Sequence, residues 1–345
     1  MMRLPHFRYH APSSVAEAAR ILAAEGPAAM LLAGGTDLLP NMKRRHQVPE
    51  SLVALGQVRE LLRVHTGTGL TLGAGLTLAD LVQNPRVREG YTALWQAAAQ
   101  VATPHLRNMG TLGGNLCLDT RCTYYDQSYE WRQAIGFCMK KDGETCWVAP
   151  ASRRCLAVSS TDTAPALLAL DARVLLVSAA GEREVALEDL YRNDGIDYLT
   201  RRPDEILAEV RLPDARGRRS TYWKLRRRGA FDFPVLSVAA AIDVAPDGTV
   251  ERARIVLGAV ASRPLVAERA AASLAGLPLT DGAIANAAAL AAEIAKPMDN
   301  TDFTLHWRKR VAREFVGYAL RELRGDDMRA TRVRIARHDL ESVAG

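Results

Sequence analysis

Short apolar runs, broken by glycine and by polar turns, divide this chain into candidate strands and helices. Residues 13–25 read as a short helix, capped by Ser13 or Ser14, with Glu17 at capping-box distance from Ser14. Ala28-Ala29-Met30-Leu31-Leu32-Ala33 is an apolar run ended by Gly34-Gly35, the pattern of a buried strand entering a tight turn. Val53-Ala54-Leu55 and Leu70-Thr71-Leu72-Gly73-Ala74 are further strands, and Thr77 caps the helix that follows. An alanine-rich helix covers 91–102, and residues 103–115 have the composition of a loop. From 117 to 157 no period is visible, although Tyr124, Tyr125, Tyr129 and Trp131 fall there.

Strands resume at Arg173-Val174-Leu175-Leu176-Val177. Residues 235–242 and 253–260 read as neighbouring strands joined by a turn at Pro246-Asp247-Gly248. Helical patterns begin at Glu268, Asp281 and Leu305, and the charged tail beyond Asp326 reads as peripheral. No internal repeat or low-complexity tract is present.

Composition narrows the class. The chain has 345 residues, 48% hydrophobic and 24% charged, enough for two or three globular cores. No apolar run approaches the roughly 20 residues that span a bilayer, and Met1–His6 lacks the apolar segment of a secretion signal. A cytoplasmic protein with no membrane contact is the expectation. The net charge of +6 is spread along the chain, densest at Arg226-Arg227-Arg228 with Arg218-Arg219 before it. No basic run interleaves with aromatics, so nucleic-acid binding is not indicated.

The cysteines change the picture. All five (Cys117, Cys122, Cys138, Cys146, Cys155) fall within one short segment. In a reducing compartment such clustering points to metal or redox chemistry rather than disulfides. The spacing Cys122-x15-Cys138-x7-Cys146-x8-Cys155 contains no C-x2-C pair. Four thiolates can hold a [4Fe–4S] cluster or a structural zinc, and the spread suits a loop folded around a centre that each ligand approaches separately. Cys117 sits directly after Asn115-Leu116 and reads as a small buried residue outside that set.

Two glycine pairs complete the candidate chemistry. Ala33-Gly34-Gly35-Thr36-Asp37 follows a strand, and Thr111-Leu112-Gly113-Gly114-Asn115 follows a helix and loop. Paired glycines permit positive φ and close backbone approach, and consecutive N–H groups can converge on a diphosphate, with Thr36 and Asn115 adding hydrogen bonds. Each pair can equally be only a turn. Neither fits G-x-G-x-x-G or the P-loop. No nucleophile–base pairing and no H-E-x-x-H occurs, and His105 and Arg107 read as loop structure, which favours an electron carrier over a hydrolase.

At these residues the chain resembles the flavoprotein subunits of the molybdenum hydroxylases, the family that includes carbon monoxide dehydrogenase and xanthine dehydrogenase. Ala33–Leu38 and Arg107–Asn115 are similar to that family's two diphosphate loops. Leu187–Leu190, Arg202–Leu207, Tyr222–Arg228 with Asp232, and Leu257–Pro264 with Glu268 match later stretches, so the resemblance runs from about 3 to 325. It implies an α+β fold: a two-lobed FAD domain of the vanillyl-alcohol-oxidase type (1–56 and 57–217) and a C-terminal α+β domain (218–325), with 326–345 as a tail. It further implies FAD contacts from Met30, Leu31, Leu32, Ala33, Gly34, Gly35, Thr36 and Asp37, and from Thr111, Leu112, Gly113, Gly114 and Asn115. Val101, Asp162, Leu207 and Lys224 fall at further FAD positions, where Asp162 could accept hydrogen bonds from FAD and Lys224 could favour a reduced, anionic flavin.

The departure from the family is the segment 117–157, since the family passes directly from Gly-Gly-Asn to a Ser/Thr-Asp stretch, here Ser159-Ser160-Thr161-Asp162. That insertion resembles the one carrying an extra [4Fe–4S] centre in the family's aromatic acyl-CoA-reducing branch, with Cys122, Cys138, Cys146 and Cys155 as ligands. Also implied are a molybdopterin-containing catalytic subunit, a small subunit with two [2Fe–2S] clusters, ferredoxin as electron donor, and a dimer of heterotrimers.

Overall fold

A computed structural model describes residues 3–337. The first sheet is parallel, with Ser51–Ala54 between Arg8–His10 and Ala29–Leu32. Its covering helix, Val15–Glu25, is capped by Ser14, whose hydroxyl accepts from the Glu17 N–H at 3.1 Å. The Glu17 carboxylate accepts from the N–H of Ser13, not of Ser14, so the box closes one residue earlier than the sequence suggests. Ala18, Ala19 and Leu22 pack on Ala29, Val53 and Ile206.

The second sheet is antiparallel, in the order Val64–Thr66, Gly69–Gly73, Ile206–Pro213, Arg173–Ser178, Gly181–Ala186. Helices Leu78–Gln83, Thr92–Ala99 and Thr163–Ala169 share its core. The Thr92–Ala99 helix stops short of the expected 102. Just past its end, cations take the free carbonyls: Gln100 O accepts from Lys224 at 3.1 Å and Arg226 at 3.2 Å, and Val101 O from Arg107 at 2.8 Å.

Arg218–Leu225, Leu236–Val244, Val250–Gly258 and Leu265–Val266 form the third, antiparallel sheet. The expected neighbours pair, Ala241 opposite Arg254. Tyr222, Ala239, Ala241 and Val256 face the second sheet's core, while Trp223, Val238, Ala240 and Ile255 face helices Asp281–Ile294 and Leu305–Arg324. Burial on both faces explains why 235–242 reads as one apolar run instead of alternating.

The tail is less peripheral than its charge implies. Helix Arg329–Arg337 docks through Arg332, which lies 4.0 Å over the Trp223 ring and hydrogen-bonds Glu322. Residues 338–345 lie outside the described part. Among the described residues no helix is long and apolar enough to cross a membrane.

Candidate functional site

The two glycine segments, distant in sequence, meet in space. A Cβ on Gly34 would lie 1.8 Å from the Met109 carbonyl oxygen, so only glycine lets the first loop rest on the turn preceding the second. Gly35 has φ of +70°. The N–H groups of Gly34, Gly35 and Thr36 find no acceptor among the described residues, as a loop prepared for an anion requires.

The second loop differs from the sequence reading. Residues 103–115 contain two short helices, Pro104–Arg107 and Leu112–Leu116, capped by Thr103 and Thr111. The N–H groups of Leu112, Gly113, Gly114 and Asn115 are already engaged, by Leu76 O, Ala74 O, Thr111 Oγ1 and Thr111 O. Gly113 is a packing glycine, since a Cβ there would meet the Ala74 Cβ at 2.9 Å. The Asn115 side-chain oxygen accepts from Thr161 and Thr163 hydroxyls at 2.8 and 2.7 Å. This segment therefore shapes the floor of the site and ties it to Ser159–Asp162.

Asp162 and Lys224 find each other. Lys224 Nζ donates to Asp162 Oδ2 at 3.0 Å and to Gln100 O, and the Tyr222 hydroxyl donates to Asp162 Oδ1 at 2.6 Å. Burial raises the Asp162 carboxyl and lowers the Lys224 ammonium, each opposed by its partner. Leu207 is buried in its strand, Val101 is half-buried, and His105 is exposed.

The cysteine-bearing segment is closed by a clasp. Arg121 and Val158 exchange backbone hydrogen bonds of 2.8 and 2.7 Å, leaving 122–157 as a folded excursion. Within it Cys122, Cys138, Cys146 and Cys155 are all buried and line one cavity with Tyr124, Tyr125, Met139, Lys140, Trp147, Val148 and Ala157. The space free of protein atoms between them is ≈ 250 Å³, counting the part continuous with solvent. Cys117 lies apart, half-buried near Tyr191 and Tyr198, with burial pushing its thiol up.

Burial pushes the Cys122 thiol up to about 12 and Cys155 to about 11. The Tyr125 N–H donates to the Cys122 carbonyl at 3.0 Å, and the Ala157 N–H donates to Cys155 Sγ at 3.4 Å, a bond that would favour a thiolate there. No three Cys, His, Asp or Glu side chains among the described residues converge on one point at single-ion distance.

Sequence reasoning missed three supports. Gly195, far along the chain, presses on the group: a Cβ there would lie 2.7 Å from Cys155 Sγ. Lys140 crosses from the excursion to Asp119, Thr120 and Gly195. Arg121, next to Cys122, bonds Asp37 of the first glycine loop and lies 4.9 Å from the Phe233 ring centroid. Lys140 and Arg121 left a trace, by lying two residues after Cys138 and directly before Cys122; Gly195 carries no local signal.

A glycine loop with free N–H donors in an α+β chain suits the diphosphate of a nucleotide cofactor. Residues 5–215 match the FAD binding domain in molybdopterin dehydrogenase, and 220–323 the CO dehydrogenase flavoprotein C-terminal domain. The chain belongs to this family of FAD-binding oxidoreductase subunits. It is 34% identical to the aldehyde oxidoreductase FAD-binding subunit PaoB of Escherichia coli, covering 78% of this chain and 86% of that one. Identity to the carbon monoxide dehydrogenase medium chain of Hydrogenophaga pseudoflava is 30%, over 92% and 96%. Its fold superimposes on Cu,Mo-CO dehydrogenase with a TM-score of 0.77 at 28% identity, covering 92% and 98%. Quinoline 2-oxidoreductase from Pseudomonas putida gives 0.74 at 27%, over 93% and 98%.

Proposed function

We propose that this chain is the FAD- and [4Fe–4S]-carrying electron-transfer subunit of a 4-hydroxybenzoyl-CoA reductase. In that role it relays electrons from ferredoxin to [2Fe–2S] and molybdopterin subunits, which remove the phenolic hydroxyl to give benzoyl-CoA. The observation carrying this reading is the convergence of Cys122, Cys138, Cys146 and Cys155 on one buried cavity within the clasped excursion. A tetrahedral zinc with Zn–S near 2.3 Å would hold its sulfurs about 3.8 Å apart. A [4Fe–4S] cluster gives each thiolate its own iron, so its ligands stand further apart around a larger space. Four buried cysteines lining one cavity supply the thiolate set that a [4Fe–4S] cluster takes.

The cluster supplies one-electron transfer, and FAD exchanges one or two electrons. This chain's residues do the holding: Gly34, Gly35 and Thr36 offer N–H donors to the diphosphate, and Arg121 ties the excursion to that loop. Names such as "medium chain" and "FAD-binding subunit" among the relatives support a multi-subunit assembly; the arrangement proposed for it is a dimer of heterotrimers in the cytoplasm. Those relatives also favour a second reading, an FAD subunit passing electrons outward from an aldehyde, purine or CO.

Flavin and metal content of the anaerobically isolated protein, with its paramagnetic resonance spectrum, separates the two. One FAD with four irons and a reduced [4Fe–4S] signal supports the reductase subunit. FAD without iron selects the second reading, and zinc without iron rejects the cluster.

A further inference from the structure

We propose that Lys140 is the fixed charge that sets the reduction potential of the cluster, with Asp119 as its counterweight. This rests on the iron–sulfur reading above. Among the described residues lining the cysteine cavity, Lys140 is the one charged side chain. It is 7% exposed, and its ammonium donates to Asp119 Oδ1 at 2.8 Å, Thr120 Oγ1 at 2.8 Å and Gly195 O at 2.7 Å. All three donors are used, so the charge has one position. That position is close to the ligands, because Gly195 both accepts from Lys140 and packs on Cys155 Sγ. Tyr125, whose N–H donates to the Cys122 carbonyl at 3.0 Å, lies with its ring centroid 4.9 Å from the same ammonium.

Reduction adds one electron from an external one-electron donor, with no bond made or broken and no proton moved. The site becomes more negative by one charge in a poorly solvated place, so a fixed cation favours the reduced form. Asp119, 5% exposed, opposes that field; its second oxygen accepts from Tyr125 at 3.2 Å and Gln47 at 3.4 Å. The other basic residues close by are matched elsewhere: Arg121 by Asp37 and Asp126, and Arg132 by Asp142 at 3.2 Å.

The two members of the pair thus act with opposite sign, which a purely structural role would not produce. The assembled protein is purified without oxygen and titrated with dithionite, following the cluster by paramagnetic resonance. Lys140→Gln is expected to lower the one-electron reduction equilibrium at least tenfold, 59 mV more negative. Asp119→Asn is expected to raise it by a similar factor, with iron and flavin content unchanged in both. Titrations within twofold of wild type, or shifts of the same sign, overturn the proposal. Should Lys140→Gln lose its iron, Asp119→Asn decides: a positive shift supports the proposal and any other result overturns it. Wild-type protein without iron overturns the iron–sulfur reading, and this proposal with it.

Discussion

Lys224→Met removes one partner of an ion pair that links the Asp162 segment to the third sheet. The Lys224 side chain is 0% exposed and that of Asp162 3%, at a separation of 3.0 Å. Asp162 keeps its bond from Tyr222 but loses the facing cation, and stranding one member of such a pair costs about 3–5 kcal/mol. Unfolding entropy of about 2.1 cal/mol/K per residue gives about 0.7 kcal/mol/K for this chain, so Tm should fall by about 4–7 °C. The effect depends on pH. Burial already raises the Asp162 carboxyl, with Lys224 the chief opposing influence, so the variant's carboxyl rises further. A carboxyl with a raised folded pKa contributes stability below its unfolded value of about 3.9, and that contribution is lost as pH rises through the folded pKa. The deficit against wild type should be largest near neutrality and shrink toward acid. Calorimetry of the flavin-loaded protein across pH measures it, and adding Asp162→Asn should recover most of the loss. A Tm within about 1 °C of wild type at neutral pH, or a deficit indifferent to pH, would refute the argument.

Cys138→Ser should remove the cluster while FAD stays bound, read by iron content and visible spectrum; full iron sinks the ligand assignment. Gly35→Val places a β-branched side chain at a φ of +70°, with its Cβ 2.9 Å from Leu39 Cδ1, and should expel FAD; an unchanged flavin spectrum contradicts the loop's role. Gly195→Ala drives a Cβ to 2.7 Å from Cys155 Sγ and 2.8 Å from Ala157 N, so iron should fall while flavin is retained; wild-type iron would show that the contact relaxes without consequence.

The sequence made local structure legible wherever one signal sufficed. The Ala29–Leu32 strand, the Ser14 and Thr77 caps, and the helix starts at Glu268, Asp281 and Leu305 follow from runs and caps alone. Residues 103–115 misled because proline and glycine read as loop, whereas Thr103 and Thr111 cap two short turns of helix that include them. The cations that meet Gln100 O just past Ala99 come from a distant segment, and the Asp162–Lys224 pair joins residues from different elements. Neither leaves a local trace. The cysteine group was legible from clustering, but the clasp, Gly195 and the Lys140 bonds are tertiary facts.

The small core of the excursion bears on why the cysteines are there. Its buried apolar cluster is Cys122, Tyr125, Cys138, Cys155 and Ala157, so the thiols themselves form much of it. Beyond Tyr124, Met139 and Val148 packed partly buried against it, little other apolar surface is available to order 122–157, and metal binding by such a segment is largely folding free energy. The clasp belongs to a different account: Arg121 is held by Val158, Asp37 and Asn41 outside the excursion, and only its 3.4 Å bond to Asp126 reaches inside. If the excursion holds the proposed cluster, losing it should loosen the excursion while the Arg121–Asp37 link stays. The flavin loop would keep its place, which is why loss of iron with retention of FAD is the signature demanded of the cysteine variants.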